Sequence, residues 1–175
     1  MLLKTKMLFS ALVLTGMAGF SMNASAAPSA EVTLQGIITN TTCDVAVNGG
    51  KSTLNVGVFK SSDFAAANTQ QGSVPLNVTL TNCSADESGN LIVQGITSTG
   101  NNDKNLFVNA DSDTVGFMIK DVDDNQIING GTGAALAVTA GQDTNYAFKV
   151  GMGSTEPTPM AGSYSAPVVV AYIVN

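Results

Sequence analysis

The 175-residue chain contains no histidine, no arginine and no tryptophan, and only two cysteines. Without histidine the usual general base is missing, and with it Ser-His and Cys-His nucleophile pairs and most metalloenzyme sites. A copper-zinc dismutase sandwich, which needs a cage of histidine ligands, is excluded on the same ground. Two thiols alone make a poor zinc cage. There is no Gly-rich phosphate loop, and seven lysines against 13 acidic residues leave no basic cluster for phosphate, so nucleic acid is a poor partner. The expectation is a protein that is not an enzyme and carries no cofactor. Its acidic, weakly charged surface mainly favours solubility.

Long apolar runs are equally scarce. The one at residues 7–20 follows Lys4 and Lys6 and precedes Ala24-Ser25-Ala26. It is too short to span a bilayer, and with its basic flank and A-x-A site it reads as a secretory signal peptide, residues 1–26, cleaved after Ala26. Cleavage leaves about 150 residues, one domain with a sizeable core. It also leaves five lysines against 13 acids, a formal charge of −8. In an exported chain, Cys43 and Cys83 read as one disulfide. Closing that loop destabilises the unfolded chain by roughly 4 kcal/mol in the chain-entropy model.

What is present is period-two alternation. Val32, Leu34, Gly36 and Ile38 fall on one face of the run 30–38, with Glu31, Thr33 and Gln35 on the other. Gly36 is unusual inside a strand and marks either close approach of another backbone or simply a weak first strand of a sandwich. Asn48-Gly49-Gly50 signals a turn, predicting a first hairpin between residues 43–47 and 52–59. Residues 60–71 have room for one helical turn. The run 73–83 alternates again, with Pro75 placing its start at an edge or a bulge. Further strands are expected at 91–97, 107–108, 115–120, 126–128, 135–138 and 146–150. A polar link at 84–90 and a long connection at 151–163 separate some of them. With no sustained helical period anywhere, the pattern gives an all-β sandwich.

The tip D-V-D-D-N-Q at 121–126 places Asp121, Asp123 and Asn125 at the first, third and fifth positions of a calcium loop. The sixth position is Gln126 where Gly is needed, and the twelfth is Thr132 where Glu is needed. A solvated hairpin turn is the better reading.

The last eleven residues, S-A-P-V-V-V-A-Y-I-V-N, are β-branched, aromatic and uncharged. So apolar a strand needs partners on both edges, because an unpaired apolar edge invites another chain. The only segment suited to lie beside it is the alternating run at 30–38, and the reading is that this run comes from a different copy.

These features together resemble the pilin subunits of chaperone-usher fimbriae of the type 1 pilus kind. The resemblance rests on the arm ending G-I-I-T-N-T-T-C with Gly36 seven residues before Cys43, on the Cys43 to Cys83 spacing, and on Gly162, fourteenth from the C-terminus, ahead of the terminal strand. The family carries a penultimate tyrosine. Here that position is Val174, and Tyr172 lies two residues earlier on the same face.

The resemblance implies an immunoglobulin-like sandwich, residues 40–175, lacking its last strand and completed by a donor strand from another subunit. The donor is the arm 27–39, through Val32, Leu34, Gly36 and Ile38. The acceptor groove, first occupied by a periplasmic chaperone, involves Gly162, Val168, Val170, Tyr172, Val174 and the terminal carboxylate of Asn175. An outer-membrane usher then exchanges the chaperone for the next subunit's arm. Burying Val32, Leu34 and Ile38 is worth about 5 to 9 kcal/mol as an upper figure. An arm that fits the next copy's groove gives head-to-tail, non-closing contact, hence filaments on the bacterial surface used for adhesion. The alternatives are a minor or adhesive subunit that binds a host ligand directly, and a secreted enzyme or inhibitor on a self-contained sandwich.

Overall fold

A computed structural model describes residues 36–174. Short β-branched and aromatic runs separated by Gly, Asn, Asp and Pro become eight antiparallel strands: β1 (Asp44–Val47), β2 (Gln71–Thr81), β3 (Glu87–Thr97), β4 (Leu106–Val108), β5 (Val115–Lys120), β6 (Ala134–Val138), β7 (Thr144–Ser154) and β8 (Val168–Val174). One layer runs β1-β2-β7-β5-β4 and the other β6-β3-β8. β3 joins the layers by pairing Ile96 and Thr97 with Val108 and Phe107.

The core follows from the alternation. Leu76, Val78 and Leu80 of β2 point inward and meet Leu91 and Val93 of β3, Phe107 of β4, Ile119 of β5, Phe148 of β7 and Tyr172 of β8. Each such side chain contributes about 1.5 to 3 kcal/mol by leaving water. Cys43 and Cys83 form the disulfide, with Cα atoms 4.1 Å apart. It closes the ends of β1 and β2 just beyond their last paired residues, Asp44 and Thr81.

Several expectations need correction. The strand read at 91–97 begins at Glu87, inside what reads as a polar link, and β7 runs on to Ser154 into the expected connection. Both extensions are glycine-bearing and partly polar, so pairing on two sides rather than side-chain pattern makes them strands. Gly89 shows why a small residue is needed there, since a Cβ would meet the Ile173 carbonyl oxygen of β8 at 2.1 Å. The Asn48–Gly50 turn exists as a 3-10 turn, but the hairpin does not. β1 pairs with β2 instead, and residues 51–60 continue in no ladder. The terminal strand, expected to find its only neighbour in another copy, has β3 along one edge over seven residue pairs, Gly89↔Val174 to Gly95↔Val168.

Other expectations match. Ser61–Asp63 supplies the short helical turn. Pro75 lies beside a register shift between Gln71 and Val74, on a part of β2 that β1 does not reach. The acidic tip is a hairpin turn whose own groups consume Asp121. One carboxylate oxygen accepts from the backbone N–H groups of Asp123 and Asn125, the other from the Asn125 side-chain amide. Burial works to raise the Asp121 pKa, but these bonds and the nearby Lys149 outweigh it and hold the carboxyl below its ordinary value.

Candidate functional site: an open groove beside the last strand

The free edge of β8 faces residues 53–59, and a groove lies between them. Along one wall Leu54 and Val56 turn inward while Asn55 and Val58 face solvent. Along the other, Tyr164, Ala166, Val168 and Val170 are half-buried while Ser165, Pro167 and Val169 are exposed. Residues 53–56 and 164–170 alternate as two strands do, yet no backbone hydrogen bond joins the two walls among the described residues. Their separation leaves two adjoining cavities of about 580 and 670 Å3. Phe117 belongs to the floor of both, with Val115 and Met152 added in the first and Leu76, Ile119 and Val150 in the second. The groove therefore opens directly onto core side chains.

Tyr164 is the one residue of the β8-side wall that lines both cavities. Its hydroxyl donates to the Met160 carbonyl oxygen at 2.6 Å, and with Thr53, Leu54, Val56 and Phe117 it borders both cavities. The β8-side wall is tied at both ends. At one end the Ser61 hydroxyl donates to the Pro159 carbonyl at 2.5 Å and the Thr158 N–H to the Phe64 carbonyl at 2.9 Å. At the other the Thr39 hydroxyl donates to the Tyr172 carbonyl at 2.8 Å.

That last bond shows how β8 is oriented. In an antiparallel ladder, alternate residues turn both backbone groups toward the partner and the rest turn both away. Tyr172 gives its carbonyl to Thr39 and not to β3. Gly95, opposite Val168, gives its N–H to Asn129 at 3.3 Å and not to β8. Val168 and Val170 therefore present N–H and C=O to the groove, and their side chains line it. Unpaired backbone groups beside an apolar trough are what an added strand requires.

Of the residues singled out in the sequence, Gly162, Val168 and Val170 line the groove. Tyr172 is fully buried and its hydroxyl donates to the Leu136 carbonyl at 3.0 Å, so it is a core residue that meets the open edge only through its backbone. Val174 is half-buried, and Asn175 lies outside the described residues, as do Val32 and Leu34. Gly36 and Ile38 are described. A Cβ at Gly36 would meet nothing within 4 Å, so nothing in its own domain demands glycine there, and Ile38 is 94% exposed. The wall at 53–59 and Tyr164 escaped sequence reading as site residues. The alternation of the wall was visible, but the vacancy beside it leaves no mark on composition.

A family model described as fimbrial protein matches residues 32–174. No curated protein matches the chain. Among solved structures, the P pilus rod subunit PapA is similar at 13% identity, with 77% of this chain and 100% of that one covered and a TM-score of 0.62. A chain from a structure of a chaperone-usher pilus, on the molecular basis of rod uncoiling, shares 15% identity over 84% of this chain and 96% of that one, with a TM-score of 0.58. An antigen and type I fimbria protein of Burkholderia pseudomallei shares 20% identity over 75% and 94%, with a TM-score of 0.54. The fold common to these is the immunoglobulin-like sandwich lacking a strand. The chain belongs to the fimbrial protein family, as a structural subunit and not an enzyme.

Proposed function

We propose that residues 1–26 are a cleaved signal peptide, that 27–39 is a donor arm, and that the domain from residue 40 onward accepts the arm of the next copy by donor-strand exchange. In this reading a periplasmic chaperone fills the groove first, anchoring Asn175 at the chain's end, and an outer-membrane usher exchanges it for an arm. The product is a surface filament that serves adhesion. The observation that carries the reading is the open groove, with Val168 and Val170 offering backbone groups and side chains to a strand the domain does not contain. An arm presenting Val32, Leu34 and Ile38 supplies apolar side chains for the two cavities. Gly36, among them, supplies a side-chain-free position for the stretch beside Tyr164 where the two cavities meet. Exposed Ile38 fits an arm whose apolar face is covered elsewhere.

The test compares thermal unfolding of residues 27–175 with the same chain carrying a second copy of 27–39 fused through a flexible linker after Asn175. A monomeric fused form that unfolds far higher is expected. Equal melting of the two forms would sink the reading.

A further inference from the structure

At the root of the arm, hydrogen bonding to the domain begins at Thr39. Ile38 is 94% exposed, whereas the hydroxyls of Thr39, Thr41 and Thr42 are all hydrogen-bonded. The Thr39 hydroxyl donates to the Tyr172 carbonyl and accepts from the Thr41 N–H at 3.2 Å. The Thr41 hydroxyl donates to one Glu87 carboxylate oxygen at 2.6 Å and accepts from the Cys43 N–H at 3.1 Å. Thr42 gives both its N–H, at 2.7 Å, and its hydroxyl, at 2.5 Å, to the other oxygen, and its hydroxyl accepts from the Ser84 N–H at 3.2 Å. Cys43 follows, bonded to Cys83. Four residues, Thr39, Thr41, Thr42 and Cys43, are thus fastened to three places: the first residue of β3, the open edge of β8, and the chain just after β2.

A single carboxylate organises the clasp. It accepts three bonds from two consecutive threonines, and charged acceptors make the shorter, stronger hydrogen bonds. Each threonine hydroxyl donates and accepts at once, so none can rotate without breaking two bonds. An ordinary first strand needs none of this. β1 is already held by its ladder with β2 and by the disulfide. The clasp serves the residues before β1, and what precedes them is the arm.

We infer that Glu87 is a positioning residue. With Thr41 and Thr42 it makes the arm root a stiff joint that sets the direction in which residues 27–38 leave the domain, and so the angle between successive subunits. This rests on the donor-strand reading. The joint makes filament stiffness a property of the root as well as of the strand buried in the next copy.

The test has two parts, both on the oxidised chain from residue 27. By NMR relaxation, the amides of Thr39, Thr41 and Thr42 should be as rigid as β2, with order parameters of about 0.85. In Glu87→Ala they should fall below about 0.6 while β2 is unchanged. Should Glu87→Ala fail to fold, Thr41→Val/Thr42→Val removes the same hydroxyls and should loosen the same amides. Filaments of the loosened variant, viewed by electron microscopy, should then show a persistence length at least about twofold shorter, since each joint loses bonds of the strong charge-assisted kind. A root that stays rigid in both variants overturns the inference, as do filaments of unchanged stiffness from a loosened root. A wild-type chain that forms no filaments overturns the donor-strand reading itself.

Discussion

Glu87 carries more bonds than its position at the start of a strand suggests, and its titration makes that measurable. The hydrogen bonds from Thr41, then those from Thr42, hold its carboxyl below the ordinary value, against a smaller opposing effect of burial. Because the folded pKa lies below the unfolded one, the stability it confers is complete above the unfolded carboxylate value, about 4.3, and disappears as pH falls through the folded value. Glu87→Gln should therefore melt lower than the parent chain at pH 7, with the gap closing under acid. A gap that persists under acid would show that the clasp owes nothing to charge. Tyr172 makes a different prediction. Its ring is wholly buried and its hydroxyl has one partner, the Leu136 carbonyl, so Tyr172→Phe should lower unfolding free energy by about 1 kcal/mol in urea titrations, the net worth of one buried hydrogen bond. Neither role is legible in the sequence. Nor is that of Asn101, which is 2% exposed and whose side-chain oxygen accepts from the N–H groups of Asn105 and Leu106. A polar residue in a turn-like run reads as solvated until tertiary contacts bury it.

Among elements, β8 is the one whose two faces do different things. Val168 and Val170 line the groove, while Val169, between them, is 60% exposed on the outer face. A charge at Val170 has to be desolvated when a strand is added, and one at Val169 does not. Val170→Asp should weaken binding of a labelled 27–39 peptide by tenfold or more, measured by fluorescence anisotropy, and Val169→Asp should leave it unchanged. Equal effects would mean that the peptide binds elsewhere. Strands with dense apolar runs, such as β5, are legible almost to the residue. β3 was clipped because Glu87, Gly89 and Asn90 resemble a linker, and only the neighbours β6 and β8 make them a strand. The wall at 53–59 looks like half of a hairpin for the opposite reason: Leu54, Val56 and Val58 alternate in sequence, but the partner that alternation calls for is missing, and Val58 is 99% exposed. Hydrophobic pattern reports which face an element buries and is silent on what it is buried against.

For the whole molecule, the disulfide has a mechanical meaning. In the donor-strand reading proposed above, a filament under tension pulls on the arm, and once the bonds of Thr39, Thr41 and Thr42 give way the pull reaches Cys43. From there a covalent route leads straight across to Cys83, between β2 and β3, bypassing β1 and the long excursion through the groove wall. The two cysteines are 40 positions apart, so with the bond intact that length cannot pay out, and when it is reduced about 140 Å of extra chain becomes available at roughly 3.5 Å per residue. Stretching single chains in the oxidised and reduced states should reveal that difference in extension on unfolding. In that reading the covalent link acts as a strain relief, keeping load off the part of the sandwich that would hold its neighbour.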